Sequence, residues 1–155
     1  MAIVRVNARD IIVEVEDETP DTWLRVERLQ SVTLSLGENE ETADITDFDD
    51  EGAYSQDIMQ RGASMELSGL EVRDRETGEL PPGRARIEAL AGEDKVGYDS
   101  QGRIRFRYPA DQQWRVWNCT VSLGEKGGAV NDKSAWAATI VKCGRTITIP
   151  VEEEP

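Results

Sequence analysis

The sequence predicts an all-β fold with one short helix, arranged as a β-sandwich. Apolar and polar residues alternate with period two through most of the chain, as half-buried strands require. Clusters of Gly, Asp, Ser and Pro interrupt that alternation at short intervals, and only one segment has a helical pattern.

Residues 11–16 and 23–28 read as the first two strands. "SVTLSLG" places Val32, Leu34 and Leu36 on one face and Ser31, Thr33 and Ser35 on the other. In residues 64–73 the apolar positions run Met65, Leu67, then Leu70 and Val72, and Gly69 at the change of phase predicts a bulge there. "PPGRARIEALAG" is the helix: Pro82 suits a first turn, Ile87, Leu90 and Ala91 share a face, and Gly92 stops it. "RIRFRYP" sets Ile104, Phe106 and Tyr108 against Arg103, Arg105 and Arg107. Strands follow over residues 113–123, 135–143 and "RTITIPV"; the first of these changes phase between Val116 and Trp117 with no residue in that strand to account for it. "DRETGEL", "YDSQGR" and "GEKGGAVND" supply turns, and there is no internal repeat.

A length of 155 residues fits one domain, residues 1–155, able to bury roughly 70% of its unfolded surface. Its hydrophobic share is only 38%, so assembly is a natural route to more buried area. A net charge of −13 repels nucleic acid from most of the surface. The N-terminus carries charges inside its apolar stretches and does not read as a signal peptide, and no segment has the roughly 18 apolar residues of a membrane span. Cys119 and Cys143, the two cysteines, are read as buried thiols in a reducing compartment. With no histidine, Ser-His-Asp and Cys-His nucleophilic schemes and His-bearing zinc sites are excluded, and only carboxylate chemistry stays open.

Residues 37–62 depart from the strand grammar. From Glu38 to Asp57, nine of twenty residues are acidic, Asp44, Asp47, Asp49, Asp50, Glu51 and Asp57 among them. Asp47, Asp49, Glu51 and Gly52 imitate the start of a calcium loop, but its twelfth position is Ile58 where a bidentate Glu is needed. "GGAVNDKS" has Asp132 where a phosphate loop needs glycine, and a strand follows it in place of a helix. A glycosidase pair of carboxylates would need an aromatic-lined cleft, and Trp114, Trp117 and Trp136 all fall in strands. No metal, cofactor or catalytic residue is therefore assigned. The arginine stripe, Arg103, Arg105 and Arg107, reads either as a solvated strand face or, because like charges at period two are unfavourable unless carboxylates oppose them, as a contact with another copy of the chain.

The order of these features resembles the tail tube proteins, or major tail proteins, of long-tailed bacteriophages. The segments that carry the resemblance are Thr42, Asp44, Thr46, Phe48, Asp49 and Gly52; then "GASMELSG", "PPGRARIEALA", "GRIRFRYP" and "WRVWNCTVSLGE"; and last "GGAVNDKSAWAATI" and "CGRTITI". They cover roughly residues 20–149, and the "GG-x-x-ND-x-x-x-W" hairpin, with Asn131, Asp132 and Trp136, is the most specific.

The resemblance implies a structural virion protein assembled in the host cytoplasm. It implies a β-sandwich with a flanking helix, forming stacked six-membered rings whose inner sheets join into a barrel. An acidic bore would then conduct the genome without binding it. Residues 37–62 become an assembly loop, mobile in the free subunit, with Phe48, Tyr54, Ile58 and Met59 as anchors for a neighbour and short arms at both chain ends. The implied partners are further copies, the tape measure, the tail terminator and the distal tail protein, with no membrane. A tail-completion or injection-system ring protein and a β-sandwich ligand-binding module are the alternatives.

Overall fold

The computed structural model describes residues 1–152; the last three residues of the acidic C-terminal arm lie outside the described residues. Nine strands and one α-helix follow in order: β1 (Ile12–Glu16), β2 (Trp23–Arg25), β3 (Leu29–Ser35), β4 (Glu41–Asp44), β5 (Gln56–Gln60), β6 (Ser64–Leu70), α1 (Pro82–Leu90), β7 (Gln101–Arg107), β8 (Gln113–Leu123) and β9 (Ala135–Pro150). Seven of the strands form one antiparallel sheet in the order β2-β1-β7-β8-β9-β6-β3, and β4 and β5 pair separately.

The connectivity forces that sheet to roll. Laid flat, its terminal strands β2 and β3 would stand about 29 Å apart, at about 4.8 Å per strand. Yet β2 ends at Arg25 and β3 begins at Leu29, a reach of about 14 Å even if the link is fully extended. The sheet therefore folds over, and its two halves enclose the core. Val13, Val15, Ile104 and Phe106 on one half meet Met65, Leu67, Trp136 and Ile140 on the other. Phe106 and Trp117 meet edge to face at 5.0 Å between centroids.

Helix α1 packs beside the rolled-over corner, placing Gly83, Arg84, Ile87 and Leu90 inward. Gly83 is obligatory for that approach: a Cβ there would lie 2.1 Å from the Arg25 carbonyl oxygen. Arg84 is wholly buried. It donates from Nε to the Glu27 carbonyl (3.0 Å), from Nη1 to Leu70 (2.5 Å) and from Nη2 to Arg28 (2.5 Å), and its guanidinium lies 4.5 Å from the centre of the Trp136 ring. Burial lowers its pKa, with Glu71 and Glu88 opposing that shift.

The bulge expected at Gly69 lies in the facing strand. Gln30 is the extra residue, between the pairs Leu29–Gly69 and Ser31–Ser68, while β6 keeps register with β9 through Leu70. Gly69 instead makes room, because a Cβ would sit 2.9 Å from the Arg28 oxygen and 3.0 Å from Arg84 Nη2. The strands expected over 135–143 and in "RTITIPV" form one strand, β9. Its register against β8 shifts between Val116–Ile147 and Asn118–Cys143, at Gly144 with φ +80°. Strand β8 itself stays in register with β7, so its change of phase reflects burial on both faces, Trp114 and Val116 on one and Trp117, Cys119 and Val121 on the other.

Replacing Arg84 with Met should leave three buried carbonyls without their donor and destabilise the protein by at least about 3 kcal/mol in urea unfolding. Cys119 provides a second check. Burial, assisted by nearby Cys143, pushes its thiol up from 9.0 to about 12. Its folded pKa exceeds the unfolded one, so the associated stability is complete below pH 9 and is lost as pH rises towards about 12. Alkaline melting curves should decline over that window, and Cys119→Ala should flatten the decline.

Candidate assembly surfaces

The acidic segment is a folded hairpin and not an irregular loop. Strands β4 and β5 pair through Thr42–Ile58, Ala43–Asp57 and Asp44–Gln56. Its carboxylates build the turn. Asp44 accepts from the Thr46 amide (2.9 Å), and the Thr46 side chain, followed by that amide, holds its pKa below the usual carboxylate value. Asp47 accepts from the Asp49 amide and Asp50 from the Asp47 amide, both at 3.0 Å, closing a capping box around Phe48–Asp50. Glu51 and Gly52 then take left-handed backbone conformations to return the chain. None of these side chains, nor Asp57, joins an ion pair among the described residues.

Every residue of β5 is exposed, and Phe48, Tyr54, Ile58 and Met59 all face solvent, Met59 at 70%. The hairpin's base is held by Gln60 donating to the Asn39 carbonyl (2.6 Å) and by an Arg61–Glu40 pair (3.3 Å). Period-two burial could not reveal these strands, because neither face of the hairpin is covered.

Two members of the arginine stripe, Arg103 and Arg105, have carboxylate partners in their own chain. Strand β1 runs antiparallel to β7, setting Glu14 directly opposite Arg105. Arg105 pairs with Glu14 at 2.5 Å and Arg103 with Glu16 at 2.7 Å. Arg105 is also held between two indoles, 4.4 Å from the centroid of Trp23 and 4.1 Å from that of Trp114. Arg107 stacks on Trp114 and donates to the carbonyls of Tyr108 and Pro109. The stripe thus covers the second face of β8, where Trp114 and Val116 are buried outside the main core.

Several strand edges have no partner among the described residues. Strands β2 and β3 end the sheet, and β6 covers β9 only between Ala135 and Val141, leaving the edge beyond Lys142 open. Along the start of β3 runs a groove of about 690 Å³, between residues 8–11 and 25–32. Arg9, Arg25 and Arg28 line it, all exposed and without an ion pair among the described residues. The sequence reading missed this groove and Arg84. Arg84 did carry a signal, since it lies three residues before Ile87 on the helix's apolar face. No group of three potential metal ligands comes together among the described residues.

No protein-family model and no curated protein matches the chain. Solved structures do. A chain in the tail of an empty gene transfer agent particle, refined helically with C6 symmetry, superposes with a TM-score of 0.67 at 18% identity, over 94% of this chain and 99% of that one. The chain shares that fold. A chain of the native gene transfer agent virion gives a TM-score of 0.62 at 15% identity, covering 94% of this chain and 99% of that one. A chain of the sheath–tube complex of an extracellular contractile injection system gives 0.52 at 16% identity, covering 95% and 93%. The expected tail-tube type of β-fold with one helix is therefore present.

Because its partner is Glu14, Arg105→Glu should now act on folding. The two side chains are 17% and 18% exposed, so reversal places two carboxylates in a half-buried setting and should cost about 3 kcal/mol in chemical unfolding. A melting curve like that of the unaltered protein would show the stripe to be structurally idle.

Proposed function

We propose that the chain is the structural, non-enzymatic subunit of a phage-type tail tube, with residues 1–155 acting as one tail-tube domain. Six copies form a ring, rings stack, and the genome leaves through an acidic bore. What carries this reading is the likeness along 94% of the chain to a subunit of a tail with six-fold symmetry. The exposed hairpin adds to it, presenting apolar anchors to solvent that nothing among the described residues covers.

The open edges of β2, β3 and the end of β9 would close between neighbours in a ring, joining six sheets into one barrel. The net charge of −13, repeated in every subunit, keeps phosphates from finding a lasting partner along the bore. The tape measure, the tail terminator and the distal tail protein are the further partners this role requires, in a virion assembled in host cytoplasm. The tube of an injection system is a second reading, favoured by the likeness to the sheath–tube complex. A DNA-filled head on the assembled particle separates the first from the second.

Negative-stain microscopy of the purified protein should show hollow tubes with six-fold end views. Deleting residues 38–60 should leave a cooperatively melting monomer that forms none. Long tubes from the deletion variant would remove the hairpin from the assembly.

A further inference from the structure

We infer that the arginine groove beside β3 is the socket into which the acidic hairpin of a second copy docks, head to tail. The first argument is complementarity within one chain. Arg9, Arg25 and Arg28 face Glu27 as the one carboxylate lining the groove, so its charge is positive in a protein of net charge −13. Asp49, Glu51 and Asp57 on the hairpin are likewise without cations among the described residues. Oppositely charged surfaces of this kind steer encounters and set register.

Position is the second argument. The groove lies at the Leu29 end of β3, and the hairpin leaves from the other end, where Ser35 pairs with Ser64. From Val32, the last residue lining the groove, about 10 Å of strand leads to Ser35. The hairpin thus joins β3 at the end away from its own groove. A knob and a socket at opposite ends of one strand make a contact that does not close on itself, and such contacts build open-ended stacks.

The groove also matches the hairpin in chemistry. Ile11, Leu29 and Val32 give it apolar lining for Phe48. Arg84 fixes its shape from behind by holding the carbonyls of Glu27 and Arg28. A second basic cleft, with Arg61, Lys142 and Arg145, adjoins the hairpin's own base. Docking there would join like ends and stop at a dimer.

The biological use of this contact rests on the stacked-tube reading, but its test does not need a tube. One full-length variant, Arg25→Glu/Arg28→Glu, keeps the hairpin and loses the socket. Another, Asp49→Lys/Glu51→Lys, keeps the socket and loses the matching hairpin charge. Each alone should self-associate at least about tenfold more weakly than the unaltered protein in sedimentation at low salt, the difference shrinking as salt rises. Mixed, they should associate with each other in equal proportion, since each hairpin then meets a socket of opposite charge, and combining all four changes in one chain should restore association through the reversed charges.

Should the reversals disturb folding, Arg28→Cys and Glu51→Cys chains, mixed and mildly oxidised, should yield a 28–51 cross-linked dimer. No cross-link and no association in the mixture would overturn the docking, whatever microscopy shows of tubes. Restored association of the mixture, from a protein that never forms tubes, would instead uphold the docking and remove the tube reading.

Discussion

A buried guanidinium bonded to backbone oxygens, in no ion pair among the described residues, holds the corner where both ends of the sheet converge. Arg84 reaches from α1 to carbonyls of Glu27 and Arg28 in the β2–β3 link and of Leu70 at the end of β6. A charge taken from water is tolerable only when its donors are used, and here three backbone oxygens and the Trp136 ring receive it. Two glycines keep the path open, Gly83 against the Arg25 backbone and Gly69 against Arg28 and Arg84 itself. The same contacts that close the sheet therefore shape the groove on its outer side, so folding and the proposed stacking contact share one constraint.

Charge is handled locally elsewhere too. Glu14 and Glu16 neutralise Arg105 and Arg103 across one pair of strands, and Glu71 and Glu88 do the same for Lys126 near α1. Hydrogen bonds from Arg73 and Lys126 hold the Glu71 pKa below its usual value against a modest burial penalty, and Lys126 is raised by Glu88 in return. Asp44, Asp47 and Asp50 are consumed as turn and cap acceptors. Among the groups that join no ion pair among the described residues are Asp49, Glu51 and Asp57 on the hairpin and Arg9, Arg25 and Arg28 in the groove.

Local pattern by itself determined most of the strands and the helix. Alternation needs only one covered face to be visible, and β7, β8 and the first half of β9 each have one. The helix was legible from Pro82, its inward residues and Gly92. Hairpin β4–β5 was not, because strands exposed on both faces carry no burial period. Tertiary structure alone decided the rest. Whether Arg103 and Arg105 look to their own chain or to another depends on β1 lying beside β7, a pairing across about 90 residues that no local spacing encodes. The bulges opposite Gly69 and Trp117 sit in partner strands, invisible until the register is known. The groove exists only because β2 and β3, adjacent in sequence, end opposite sides of a sheet that must roll to join them.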